Sequence, residues 1–133
     1  MGMPTNVPII DTMIGFPSTD RREVYKFLAP SLRDSESRDD FKMPAQYMFK
    51  DIPGEIAEGV DAVAVTLDNM DRYGVDKGLI NVGSTVREEP RRAIRAHPDR
   101  FLGMVDVDPR DGMDAVRKIR QFHDEYGIVA VSS

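Results

Sequence analysis

Three carboxylates and one glycine-led loop are the residues of this chain best placed for chemistry. Asp106 and Asp108 are two apart, so on an extended strand they project to the same side, and Asp11 lies near the end of an earlier strand-like segment. Carboxylates gathered from neighbouring strand ends bind a hard cation or divide acid and base roles when their surroundings differ. Ordinary turn chemistry competes with that reading. Asp108-Pro109 and Asp111-Gly112 mark a turn, and Asp11 is equally suited to accepting hydrogen bonds from backbone amides. Gly83-Ser84-Thr85 precedes a helix, where unpaired N–H groups and a hydroxyl could cradle an anion, although simple helix capping explains the same residues.

The remaining inventory is narrow. The 133 residues include no Cys, no Trp and two His, which removes disulfides, thiolate metal sites and cysteine nucleophiles. His97, beside Pro98 at a helix end, and His123, on a later helix, are both read as structural. Their separation along the chain makes a poor metal or Ser-His-Asp set. The net charge of −5 argues against general nucleic-acid or anionic-membrane binding. Arg87, Arg91, Arg92 and Arg95 form a basic face, but Glu88 and Glu89 interrupt it and no aromatic residues interleave, so it reads as solvated helix surface. No apolar run approaches the length of a membrane span, and the first basic residue is Arg21, so no signal-peptide head is present and the default location is the cytoplasm.

These candidates require strands and helices to position them, and the chain alternates the two. Val7–Ile14 is β-rich and breaks at Gly15-Phe16-Pro17, and Asp20 with Glu23 opens a helix near 20–29 that Pro30 limits. Residues 31–40 read as a charged loop. Phe41, Met43, Tyr47, Met48 and Phe49 form a cluster suited to a packed loop or a lid. Val60, Val63, Leu67, Met70 and Tyr73 recur at helical spacing up to Gly74. Val75–Val82 reads as a second strand, and Thr85 with Glu88 places the next helix from about Val86 to Ala96. Phe101–Val107 is a third strand, and Met113, Val116, Ile119, Phe122 and Tyr126 are the stripe of a third clear helix, which Gly127 ends. Ile128–Val131 starts a fourth strand. The order predicts an α/β fold with parallel pairing and right-handed crossovers. A last strand rich in Val with no helix after it predicts further β/α units beyond Ser133.

Three segments resemble the amidohydrolase-related family of metal-dependent hydrolases and decarboxylases. They are Ile9-Ile10-Asp11 at the first strand, Leu67–Lys77 where a helix hands over to the second, and Ala96-His97-Pro98-Asp99-Arg100-Phe101-Leu102-Gly103 with Val107-Asp108-Pro109 and Tyr126-Gly127-Ile128. The resemblance implies that residues 1–133 are a single partial barrel domain, the N-terminal half of a TIM-like (β/α)8 barrel with about four parallel strands and intervening helices. Chemistry in such a barrel sits at the strand C-terminal ends. Family members carry Asp-x-His-x-His at the end of strand one; here Asp11 stands, but Met13 and Gly15 occupy the histidine positions. A thioether and a hydrogen are poor substitutes for imidazole ligands to a borderline metal. The expectation is therefore no metal cofactor for this chain, with a zinc-like divalent ion only in a longer form with a rearranged site. The intact form is expected to hydrolyse or decarboxylate a small organic acid, amide or ester, and the chain alone to be inactive. Asp11 is the candidate catalytic residue, and Thr12, Met13, Ser84, Asp106 and Asp108 are candidate pocket residues. The alternative is a non-catalytic half-barrel that binds a partner or forms a homo-oligomer through open sheet edges.

Overall fold

The computed structural model describes residues 6–17, 57–84 and 87–133. The expected helix near 20–29, the charged loop and the aromatic cluster of 41–49 lie outside these residues. The chain divides into two compact units, Met1–Phe16 with Asp61–Ser133, and Pro17–Val60; every element below belongs to the first.

That unit alternates strand and helix as the sequence predicts. Its elements are β1 (Ile10–Asp11), α1 (Ala62–Tyr73), β2 (Lys77–Asn81), α2 (Glu89–Ala96), β3 (Phe101–Asp106), a short 3₁₀ turn (Pro109–Asp111), α3 (Met113–Tyr126) and β4 (Ala130–Ser132). The four strands pair in parallel in the order β1-β2-β3-β4, a curled sheet that forms half of a TIM-like barrel. Sequential parallel neighbours need a crossover each, and the three helices supply them.

Helix α1 begins where the Asp61 side chain accepts a hydrogen bond from the Val63 amide at 3.0 Å, and it ends at Gly74 with φ of 69°. A left-handed residue costs glycine nothing and lets the chain turn directly into β2. The buried stripe is Ala62, Val63, Thr66 and Met70, whereas Val60 and Tyr73 stay exposed, so the apolar face is rotated from the expected one. Helix α2 starts at Glu89 rather than near Val86. Pro90 lacks an N–H and is accommodated in the first turn, and Glu88, just before the helix, makes no side-chain cap; Thr85, the other half of the expected capping box, lies outside the described residues.

The strands have one covered and one open face. Gly78 and Ile80 of β2, Val82 just past its end, and Phe101, Gly103 and Val105 of β3 are all buried. Ile80, Val82, Phe101 and Val105 are the largest fully buried side chains. Gly103 lets helix and loop press close to β3. A Cβ there would stand 2.8 Å from Ile94 Cδ1 of α2 and 3.1 Å from Ile128 Cγ2. The Phe16 ring packs edge-on against Phe101 at 5.6 Å. On the opposite face Leu79, Asn81, Leu102, Met104, Ala130 and Ser132 are only half-buried.

Arginines fasten the elements. Arg100 bonds the Asp76 and Val75 carbonyls at 2.9 and 3.1 Å and pairs with Asp71 at 2.8 Å, tying the α1–β2 corner to the start of β3. Arg92 of α2 pairs with Asp61, and Arg95 reaches Glu125 and Tyr126 of α3. The Arg92 hydrogen bond, helped by the Val63 amide, holds the Asp61 carboxyl below its usual range. The basic face expected to be solvated thus carries inter-element contacts. No helix among the described residues is long and apolar enough to cross a membrane.

Candidate functional site

Register brings three polar side chains to one row at the C-terminal ends of the strands. Asn81 is opposite Met104, and Asp106, two residues further along β3 on the same face, is opposite Ser132. Asn81 Nδ2 donates to Asp106 Oδ2, and Ser132 Oγ donates to Asp106 Oδ1. Each carboxylate oxygen therefore has its own donor from a neighbouring strand. The row is braced on both sides. Asn81 Oδ1 accepts from the Gly83 amide at 2.8 Å, so the Asn81 amide group is engaged at both ends, and Lys118 Nζ of α3 donates to the Asp106 carbonyl at 2.7 Å. Such bracing fixes rotamers and pre-organises the acceptor. Below the row on the same face lie Leu79, Leu102, Met104 and Ala130, an apolar floor beneath a polar rim.

The loop after β2 borders this rim. Arg91 of α2 holds it by donating from Nε to the Val82 carbonyl at 3.1 Å and from Nη2 to the Ser84 carbonyl at 2.9 Å. Ser84 Oγ accepts from the Arg87 amide at 3.3 Å, a capping contact, while Arg87 Nη1 donates to the Phe16 carbonyl at 2.9 Å. The cations nearest the loop are thus directed at backbone carbonyls, and the functional group the rim presents is a carboxylate, an acceptor. It suits the N–H or O–H groups of a ligand.

The carboxylates expected to converge are each held by different partners. Asp106 is the member of the row. Asp108 lies past the end of β3, where it caps the 3₁₀ turn by accepting from the Arg110 amide at 2.9 Å and clasps the Arg110 guanidinium. The guanidinium first and the amide second hold its carboxyl below the usual range. Asp11 accepts from the Met13 amide at 2.9 Å in an Asx-type turn. In the register it is opposite Gly78, on the face that turns away from Asn81. Thr12 is exposed, and Met13 is 91% exposed, pointing into solvent rather than into an apolar pocket.

The amidohydrolase resemblance implies a divalent metal, and the donor set does not fit one. Beside Asp11 stand a thioether at Met13 and no side chain at Gly15, although a Cβ at Gly15 would meet nothing within 4 Å. Sterics therefore leave room for a ligand that the sequence does not supply. His97 closes α2 with its ring edge-on to Phe101 at 6.5 Å, and His123 is exposed on α3 beside Asp124. Among the described residues no three His, Asp or Glu side chains gather in a cation-binding group.

Asn81 and Ser132 are the residues that sequence reasoning missed. A signal existed for both, because each ends its strand on the side of Leu79 or Ala130 and is the first polar residue after it in the two-residue period. What the sequence lacked was the register that aligns them with Asp106. No family model, curated protein or solved structure matches the chain.

Proposed function

We propose that this chain is the strand-one-to-four half of an amidohydrolase-related barrel, that the closed barrel acts on a small organic acid, amide or ester by hydrolysis or decarboxylation, and that the half alone does not turn over. The observation that carries the reading is the asymmetry of the sheet. Helices cover one face, while the other combines an apolar floor with a braced polar row at the C-terminal strand ends, the end where barrels of this kind hold their substrates. Asp106 offers acceptor oxygens to a donor group on the ligand, with Asn81 and Ser132 positioning it. Ser84 borders the rim. Within that substrate range this favours amides and hydroxylated acids, which bring N–H or O–H donors, over simple esters.

The test is a titration of the isotopically labelled 133-residue chain with a panel of small carboxylic acids, amides and esters, followed by amide NMR and by turnover assay. Shifts confined to Asn81, Ser84, Asp106 and Ser132, strongest for donor-bearing ligands and without product formation, are expected. Shifts spread over the helices, or turnover by this chain alone, contradict the reading.

A further inference from the structure

We infer that Lys118 anchors the carboxylate of a small 2-hydroxy acid whose hydroxyl group is held by Asp106, so that the rim selects hydroxy acids over neutral amides. The inference rests on the site proposed above and names the residue that decides between its ligand classes. Asp106 receives one donor on each carboxylate oxygen, from Asn81 and from Ser132. A carboxylate has about four lone-pair positions, so acceptor capacity remains for a ligand hydroxyl. An acceptor by itself attracts any donor-bearing ligand, but its charge repels a ligand that is also negative. An organic acid therefore needs a cation beside Asp106.

Lys118 is that cation. It comes from α3, and its Nζ donates to the main-chain carbonyl of Asp106 at 2.7 Å. The ammonium is thereby fixed next to the residue whose carboxylate forms the row. An ammonium has three N–H donors, and the carbonyl takes one. Lys118 is half-buried, and among the described residues it forms no ion pair, so its charge and its other donors are not spent within the protein. The other cations around this end are committed to acids: Arg110 to Asp108, Arg91 to Glu88 and Arg87 to Glu89. A 2-hydroxy acid carries its hydroxyl and its carboxylate on adjacent carbons, which suits an acceptor and a cation held on one residue. Leu79, Leu102 and Met104, on the face below the row, would receive a short apolar substituent of the ligand.

The probes are lactate, lactamide and propionate, titrated at neutral pH and low salt into the isotopically labelled 133-residue chain and its Lys118→Met variant. In the unsubstituted chain lactate should move the Asn81, Asp106 and Ser132 amides at about tenfold lower concentration than lactamide, as a charge-assisted hydrogen bond allows. Propionate, which lacks the hydroxyl, should bind more weakly than lactate. Lys118→Met should reverse the order, leaving lactamide binding unchanged and making lactate the weaker ligand, because only the repulsion from Asp106 then acts on its carboxylate. A purely structural lysine would not move one ligand without the other. Lactamide binding as tight as lactate in the unsubstituted chain, a comparison that requires no variant to fold, overturns the inference and leaves the proposed rim standing. A lactate preference that survives Lys118→Met, or loss of both ligands in a variant whose remaining spectrum is unchanged, overturns it as well. Absence of rim shifts with all three probes overturns both proposals.

Discussion

Phe101 and Leu102 are consecutive residues of one strand, and they are buried to different degrees. Phe101 is 1% exposed beneath α2 and against Phe16, whereas Leu102 stands half-buried on the open face. The same division runs along β2, where Ile80 is enclosed and Asn81 reaches the rim. Stability is concentrated on the covered face, where three helices and their arginine ties press on the sheet. The open face holds the residues that the fold itself does not need, which is where function is accommodated without loss of the core.

The largest expected effect separates these faces most sharply. Phe101→Ala should destabilise the chain by about 3–5 kcal/mol, as truncation of an enclosed aromatic does, while Leu102→Ala should cost about 1 kcal/mol or less in dilute urea titrations. Equal costs at dilution would erase the distinction between the faces.

Glycines sharpen it next. Gly103→Ala places a methyl group 2.8 Å from Ile94 Cδ1 and 3.1 Å from Ile128 Cγ2, and it should cost about 1–3 kcal/mol through overpacking. Gly15→Ala meets nothing within 4 Å and should leave the urea midpoint nearly unchanged. At the rim, Asp106→Ala removes the shared acceptor of Asn81 and Ser132. Water replaces it at this exposed site, so the stability loss should be about 1 kcal/mol, while the ligand-induced shifts of the neighbouring amides disappear. Loss of stability with the shifts intact would show that the row is structural.

The smallest effect is electrostatic and appears only in acid. Asp61 is held below its unfolded value of about 3.9 by Arg92 and the Val63 amide. Its contribution is therefore complete above the unfolded value and is lost as the pH falls through the lower folded one. Asp61→Asn keeps the cap but not the charge. Urea midpoints should fall less steeply for this variant than for the unsubstituted chain as the pH drops below about 4. Parallel slopes would contradict the pairing.

The strand and helix order was legible because apolar periodicity reports burial. The stripe of Val63 and Met70, the glycine stops at 74 and 127, and the β-rich run from Phe101 each identified an element. Boundaries were less legible. β1 is confined to Ile10–Asp11 within the longer run expected, and α2 begins only at Glu89 because Pro90 needs the first turn. Of the candidate site, Asp106 was readable from strand position, but its partners were not, since Asn81 and Ser132 lie 25 and 26 residues away and meet it only through register. Asp108 looked equivalent by two-residue spacing. The strand ends before it, and the turn and Arg110 take its carboxylate.

The difference between the two faces is tested most directly by a soluble paramagnetic probe in methyl NMR. Methyl signals of Leu79, Leu102 and Met104 should broaden strongly, while those of Ile80, Val82 and Val105 persist. Equal protection of both sets would contradict an open sheet face and, with it, the site placed at its rim.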